Sequence, residues 1–181
     1  MRNLPTPILL ARGAPVAGLT RAGVQSQAGF AQVVALDECD RATFDASTGA
    51  GPSFCKDLAP GASTTLSDLF AKAAAGTPGP NGELELDNLT IKQGHIVSVV
   101  DQGGELHTFT EVKQFGGGFI PILNDPVKAS CTNPASPPVT VARTRILQGS
   151  QLDVICLSKG NHLFQCCIDP CMRIEVDVSK A

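Results

Sequence analysis

A short segment towards the C-terminal end of the chain combines the residue types that bind soft metal ions. Residues 166–172 read CCIDPCM, so thiols, a carboxylate and a thioether lie close together in the sequence. Cys166 and Met172 are soft sulfur ligands, which favour copper, and a cysteine combined with imidazole and a weak axial methionine is the ligand chemistry of blue-copper electron transfer. An open alternative is that these cysteines pair as disulfides with Cys131 or Cys156 while Met172 fills the core.

The three histidines differ in their local sequence. His107 follows a Gly-Gly turn at the start of a predicted strand, among small and apolar neighbours, which makes it the candidate imidazole ligand. His95 comes directly after a turn glycine, so we expect it to be exposed to solvent. His162 lies four residues before Cys166 on one strand, about 13 Å away at the rise of a β-strand, which is too far for both to bind one ion. We therefore expect a structural role for His162.

Seven cysteines in 181 residues indicate either disulfides in an oxidising compartment or a metal site in a reducing one. They are Cys39, Cys55, Cys131, Cys156, Cys166, Cys167 and Cys171. No paired C-x-x-C motifs stand at zinc-finger spacing, so a structural zinc site is not predicted. The sixteen-residue spacing between Cys39 and Cys55 suits a disulfide that closes a local loop. Because the count is odd, at least one thiol lacks an intrachain partner.

Composition and motifs restrict the classes of function. The chain carries 14 basic and 17 acidic residues, a net charge of −3, so no surface for nucleic acid or anionic membranes is expected. No run of about 18 apolar residues is present, which argues against a membrane-spanning segment. The sequence has no G-x-S-x-G motif, and its FGGGF stretch lacks the Lys-Ser/Thr of a phosphate loop. No small-molecule substrate is therefore indicated.

Residues 1–29 are predicted to be a flexible tail or a degenerate export signal. The apolar run at residues 8–11 is short, Arg12 interrupts it, and nearby prolines suppress a helix, although residues 26–28 (SQA) would pass as a small-residue cleavage site. Together with the cysteine content, this predicts an extracytoplasmic location, either periplasmic or secreted.

The apolar pattern predicts an all-β protein with one helix. The 18 glycines and 13 prolines suit many short strands and turns. A helix is predicted over residues 63–75, with Thr65 and Asp68 as a capping box. A loop follows Cys39 as far as Cys55, and residues 114–138 form a long Gly/Pro-rich excursion. Strands are predicted at residues 30–36, 84–91, 96–100, 106–112, 139–147, 151–157, 162–167 and 173–178, a number typical of a sandwich.

Two stretches together resemble the small blue copper proteins, the cupredoxins of the plastocyanin/azurin type. The first is GHIVSVVDQGGELHTF at residues 94–109, and the second is HLFQCCIDPCMRIEVDV at residues 162–178. Family members end in Phe-x-Cys-x-Ile-His-Pro-Trp-Met and a last strand. The resemblance covers about half the chain and implies a cupredoxin-like Greek-key β-sandwich at residues 83–181. Residues 30–82 would be an N-terminal extension that carries the helix.

The resemblance implies a copper site with one altered ligand. His107 matches the first histidine ligand of the family, Cys166 the thiolate and Met172 the axial thioether. Asp169 stands where the family has its second histidine, and Cys171 stands where many members have tryptophan. An oxygen ligand at Asp169 would favour Cu(II) over Cu(I) and lower the reduction potential of the site.

The remaining cysteines are interpreted within the same framework. Strand alternation puts Cys167 on the face opposite Cys166, which makes it the candidate partner of Cys131. Cys166 would then be the free thiolate that a metal needs, whereas Cys156 is expected to be a buried small hydrophobe on its strand.

Two further segments receive weaker predictions. The glycine-rich segment at residues 115–119 is predicted to be a flexible apolar flap beside the site and a docking patch for a redox partner. Asp37, Glu38 and Asp40 are predicted to form a solvated turn.

The predicted function is copper binding and one-electron transfer with a redox partner protein, through His107, Cys166, Asp169 and Met172, without catalysis on a substrate. The competing prediction is a metal-free binding or structural module of the same fold, stabilised by disulfides, in which the metal was lost with the second imidazole. A third possibility is a copper or zinc carrier that uses Cys166, Cys171 and Met172.

Overall fold

The computed structural model describes residues 29–37, 39–47, 55–56, 64–75, 82–84, 88–120, 123, 131, 143–170 and 172–181. The predicted tail or export signal, Glu38, Cys171, residues 139–142 and much of the predicted loop at 114–138 lie outside the described residues. The described helices are α1 (Arg41–Ser47) and α2 (Leu66–Ala74). The described strands are β1 (Phe30–Asp37), β2 (Gly82–Leu84), β3 (Asn88–Lys92), β4 (Ile96–Asp101), β5 (His107–Thr108), β6 (Thr110–Val112), β7 (Arg145–Ile146), β8 (Gln151–Val154), β9 (Gly160–Gln165) and β10 (Arg173–Ser179).

Eight of the described strands form two four-stranded sheets. Their orders are β2-β1-β4-β8 and β3-β10-β9-β6, and β5 pairs with β7 in a small third sheet. Each large sheet contains one parallel pair, β1 with β4 and β10 with β3, and the other pairs are antiparallel. The chain passes repeatedly from one sheet to the other, so the architecture is the predicted all-β Greek-key sandwich.

The apolar core lies between the two large sheets. On β10, alternate residues are buried and exposed, because successive side chains of a strand point to opposite faces. The buried members, Ile174, Val176 and Val178, pack against Val97 and Val99 of the facing sheet. Each such side chain stabilises the fold by roughly 1.5–3 kcal/mol relative to exposure.

The helical segment was predicted in part. Thr65 caps α2 as predicted, since the Asp68 N–H donates to Thr65 Oγ1 at 3.2 Å. The Asp68 carboxylate accepts from the Thr65 hydroxyl at 2.7 Å, whereas in a full capping box it would accept from the Thr65 backbone N–H. The prediction of a single helix is wrong, because α1 occupies part of the predicted loop after Cys39. Asp40 caps α1 by accepting from the Thr43 N–H at 2.8 Å.

Two other expectations need revision or extension. β1 lies between β2 and β4, so residues before the predicted boundary at 82/83 contribute an inner strand to the sandwich; the proposed unit boundaries themselves stay predictions. The expected buried position of Cys156 is wrong. β8 ends at Val154, and Cys156 is exposed in the following loop, with a positive φ of 60°.

Candidate metal centre

One end of the sandwich interior is polar. The inward-facing positions of β1 end in Asp37 and those of β4 end in Asp101. On the facing sheet, the buried Phe164 of β9 is followed two residues later by Cys166, and Met172 precedes β10 in phase with its buried positions. The alternation that buries every second side chain in the apolar core therefore continues to this end of the sandwich, where the buried side chains are polar or contain sulfur.

The thiol of Cys166 and the imidazole of His107 lie in contact. His107 Nδ1 is 3.7 Å from Cys166 Sγ, and both residues are only 2% exposed. Two ligands at about 2.0 and 2.3 Å from one ion, at a tetrahedral angle, lie about 3.5 Å apart. The observed separation therefore suits two ligands of a single metal ion.

Backbone groups surround the sulfur of Cys166. The N–H groups of Thr108 and Asp169 both donate to Cys166 Sγ at 3.4 Å, and the Thr108 hydroxyl accepts from the Cys167 N–H at 2.8 Å. Hydrogen bonds to a charged group stabilise it. Thr108, the neighbour of His107, thus joins β5 to the cysteine loop.

The loop at residues 166–172 closes on itself and brings Met172 to the same place. The Cys166 N–H donates to the Met172 carbonyl at 2.8 Å, and the Met172 N–H donates to the Asp169 carbonyl at 3.1 Å. The Met172 side chain is fully buried and packs in one cluster with Cys166 and Ala35. Three of the four predicted ligands, His107, Cys166 and Met172, are therefore brought together.

Asp169 lies in the cysteine loop, close to the sulfur of Cys166. Asp169 is 8% exposed, and its N–H faces the sulfur of Cys166. Among the described residues, two groups of three donors have their ligand atoms within 4.8 Å of one another, and neither group contains Asp169.

The glycine-rich segment is held in place beside this loop. The side-chain amide of Gln165 accepts from the Gly116 N–H at 3.0 Å and donates to the Gly117 carbonyl at 2.7 Å. A side chain at position 118 would collide with Pro170, so Gly118 allows the segment to lie directly against the cysteine loop. These contacts hold residues 116–118 beside the site, and the flexibility of the segment and its role as a docking patch stay predictions.

Both proposed disulfides are present. Cys39 pairs with Cys55, and Cys131 pairs with Cys167. Cys166 is a buried free thiol, as the copper hypothesis requires. Cys167 thus belongs to a disulfide, whereas the adjacent Cys166 has a free thiol that faces His107.

Beyond His107 lies a group that we call the acidic cluster: Asp37, Asp101 and Glu105. All three residues are at most 9% exposed. The Asp37 Oδ1 atom is 3.3 Å from His107 Nε2, and Asp37 Oδ2 accepts from the Glu105 N–H at 3.1 Å. Asp101 Oδ1 accepts from the Gly103 N–H at 2.9 Å. A side chain at position 103 would overlap the Asp37 carboxylate, so the glycine is required for this packing.

Burial controls ionisation in the acidic cluster. Removal from water raises the pKa of Asp101 to about 7, although the positive charge of His107 opposes the change. Removal from water, with the negative charge of Asp37 beside it, raises the pKa of Glu105 to about 8. Burial lowers the pKa of His107, but Asp37 and Cys166 next to its ring nitrogens more than offset this and hold it well above its ordinary value.

The other two histidines lie apart from this site. His162 is bound by the Glu111 carboxylate at 2.7 Å and by the Ser158 carbonyl at 2.9 Å, in agreement with a structural role. His95 is partly buried rather than freely exposed, with its Nδ1 inaccessible to solvent.

The sequence analysis missed the acidic cluster. Asp37 was predicted to lie in a solvated turn, and neither Asp101 nor Glu105 was singled out. The burial of two of them could have been predicted, because Asp37 lies two residues after Ala35 and Asp101 two residues after Val99, which is the spacing of inward-facing positions on a strand. The prediction of a solvated turn is wrong for Asp37, which is 6% exposed.

Fold and site together define a class of protein: a β-sandwich that encloses a free thiol, an imidazole and a thioether at one end of its core. No protein-family model and no curated protein sequence matches the chain. Solved cupredoxin structures are similar to part of it. The purple cupredoxin from Nitrosopumilus maritimus is 17% identical, with a TM-score of 0.37, over 56% of this chain and 86% of its own.

Amicyanin from Paracoccus versutus is 17% identical, with a TM-score of 0.31, over 54% of this chain and 73% of its own. The Cu(I) form of an amicyanin variant is 16% identical, with a TM-score of 0.35, over the same shares. Likenesses this distant do not identify ligands, so the functional proposal below depends on the contacts in this chain.

Proposed function

We propose that this protein binds one copper ion at His107, Cys166 and Met172, with Asp169 in the fourth position, and transfers single electrons. The observation that carries the proposal is the 3.7 Å separation of His107 Nδ1 and Cys166 Sγ inside the protein. A buried thiol–imidazole pair with a methionine packed against the sulfur matches the donor chemistry of copper electron-transfer sites.

The protein matrix favours an electron-transfer role over substrate chemistry. His107 and Cys166 are each 2% exposed and Met172 is fully buried, so a substrate molecule cannot reach the donors directly. Copper would supply a one-electron couple there. The chain would keep the donors fixed and exclude water, because the cysteine loop is closed by its own hydrogen bonds and packed under the glycine-rich segment.

Asp169 distinguishes this site from one with two imidazoles. A carboxylate is a harder donor than imidazole and favours Cu(II), so the reduction potential of the site should be low. If copper does not bind, the same contacts describe the competing candidate, a metal-free module stabilised by its two disulfides.

The proposed location is extracytoplasmic and the proposed partner is another redox protein. Two disulfides suit an oxidising compartment, where such bridges persist. Within the described residues, no helix is both long enough and apolar enough to cross a membrane.

Copper binding is tested by adding Cu(II) to the metal-free protein and recording the visible spectrum. We expect an intense thiolate-to-copper charge-transfer band that is lost in Cys166→Ser. Cys156→Ser is the matched control, because among the described residues Cys156 is the second free cysteine and is exposed, and the band should remain. Absence of a band in the unsubstituted protein, or a band that survives Cys166→Ser, contradicts the proposal.

The fourth position is tested by Asp169→His. If the carboxylate occupies a ligand position, an imidazole there should raise copper affinity, since it replaces a harder donor by one that both copper oxidation states accept. Equilibrium competition with a copper chelator measures the change. Equal affinities for the two proteins would exclude Asp169 as a ligand while leaving the other three donors in place.

A further inference from the structure

Three buried polar atoms of the acidic cluster and of the adjacent His107 make no hydrogen bond with any described residue. Asp37 Oδ1, Asp101 Oδ2 and His107 Nε2 are inaccessible to solvent, and none of the three has a hydrogen-bond partner among the described residues. Buried polar atoms are normally hydrogen-bonded, and each exception needs a physical explanation. Three of the five such atoms among the described residues belong to residues that lie against one another.

The same three residues form a compact donor set. One ligand atom from each of Asp37, Asp101 and His107 lies within 4.8 Å of the others. Asp37 Oδ1 and His107 Nε2 approach to 3.3 Å without the alignment of a hydrogen bond. Two donors at about 2.1 Å from one ion lie about 3.0 Å apart at a right angle and about 3.4 Å apart at the tetrahedral angle. The observed distance falls between these limits.

A cation would have two carboxyl groups to bind here. Within the described part of the chain, the carboxyl groups of the cluster make an ion pair only with His107, through Asp37. Glu105 brings a third carboxyl close to Asp37. A divalent cation bound to Asp37 and Asp101 would favour the ionised form of both groups, which burial alone disfavours.

We propose that Asp37, Asp101 and His107 form a binding site for a first-row divalent cation such as Mn²⁺ or Zn²⁺. Carboxylates suit Mn²⁺, and imidazole combined with carboxylate suits Zn²⁺. Glu105 lies within the same distance of Asp37 but is not grouped with Asp101 and His107, so it is not assigned as a ligand. The nearby Cys39 offers no ligand, because its sulfur is in a disulfide.

The site uses a different atom of His107 from the proposed copper site. Nδ1 faces Cys166, whereas Nε2 faces Asp37. The two donor sets meet only through the imidazole ring. The cation site therefore does not depend on copper binding, and it is tested on copper-free protein.

The experiment titrates the metal-free, disulfide-bonded full chain with Mn²⁺, followed by electron paramagnetic resonance, and with Zn²⁺, followed by competition with a chelating dye. We expect one equivalent of Mn²⁺ to bind, and one equivalent of Zn²⁺ to bind to Cys166→Ser, which lacks the thiol of the proposed copper site. Asp101→Asn keeps the side-chain shape and should weaken binding more than about 10-fold. Asp153→Asn is the matched control, because Asp153 is an exposed aspartate on β8, and binding should not change.

Cys166→Ser separates this proposal from the copper proposal. Cys166→Ser should abolish the copper band and leave Mn²⁺ and Zn²⁺ binding intact. Asp101→Asn should keep the copper band and weaken the binding of Mn²⁺ and Zn²⁺. Absence of stoichiometric binding of both ions, equal binding by Asp101→Asn, or loss of Zn²⁺ binding in Cys166→Ser would each overturn the cation site, whatever the copper result.

A second measurement keeps the test valid if Asp101→Asn does not fold. Co²⁺ added to Cys166→Ser, which lacks the thiol of the proposed copper site, should give ligand-field bands from oxygen and nitrogen donors. Absence of bound cobalt in that variant would overturn the proposal.

Discussion

Glu105→Gln should change how the stability of the metal-free protein depends on pH. The Glu105 carboxyl is buried, and its pKa rises from an ordinary value of 4.5 to about 8 in the folded protein. A group whose pKa is raised by folding binds its proton more tightly in the native state. Its contribution to stability is therefore fully present below pH 4.5 and is lost as pH rises through about 8.

The size of the effect follows from that shift. In the interval between the two pKa values, folding takes up close to one proton at this carboxyl, and stability falls by about 1.4 kcal/mol per pH unit. Glutamine has nearly the same shape and does not titrate. The free energy of unfolding of Glu105→Gln, relative to the unsubstituted protein, should therefore increase by roughly 2–3 kcal/mol between about pH 5 and pH 7.

The assay is urea unfolding with a chelator present, across that pH range, with the disulfides intact. Glu175→Gln is the control, because Glu175 is exposed on β10, and it should give a curve parallel to that of the unsubstituted protein. Parallel curves for Glu105→Gln as well would show that Glu105 takes up no proton on folding, and would refute the assignment of its raised pKa to burial.

Three further predictions concern other parts of the molecule. The Glu111 carboxylate raises the pKa of His162, so Glu111→Gln should lower that pKa. The variant should lose stability that is fully present below pH 6.5 and disappears as pH rises through the raised pKa, and the loss should be below about 1 kcal/mol because Glu111 is exposed. An unchanged NMR titration of the His162 ring would contradict this prediction. Ile174→Ala removes a fully buried core side chain and should cost about 2–5 kcal/mol in urea unfolding, whereas a cost below about 1 kcal/mol would contradict its place in the core. In thiol labelling, Cys156→Ser should remove one equivalent that reacts in the folded protein and Cys166→Ser one that reacts only after unfolding; rapid native labelling of Cys166 would contradict its burial.

Features that depend on local periodicity could be predicted from the sequence. The alternation in residues 173–178 places Ile174, Val176 and Val178 on one face, and the structure buries them. The same parity separates Cys166 from Cys167 and led to the correct partner for Cys131. These predictions needed only the two-residue repeat of a strand.

Features that depend on tertiary contacts could not be predicted in this way. α1 has only seven residues, which is too short for a helix to be stable alone. Its Phe44 packs against the Cys39–Cys55 bridge and against Leu66 of α2, so the helix depends on partners distant in sequence.

The acidic cluster shows the same limit. An aspartate after a strand is normally exposed, and Asp37 becomes buried because β1 pairs in parallel with β4. That register places Ala35 beside Asp101. The turn containing Gly103 then packs onto the Asp37 carboxylate. No sequence pattern within either strand specifies this pairing.

The adjacent cysteines at positions 166 and 167 have a consequence for oxidative maturation. Cys131 must join Cys167 and not Cys166. These two cysteines are adjacent in sequence but face opposite sides of the sheet. In an unstructured chain these two thiols are nearly equivalent competitors for Cys131. Correct bridging thus requires the end of β9 to be docked before oxidation, and premature oxidation would yield a misbridged isomer in which the sulfur beside His107 is consumed.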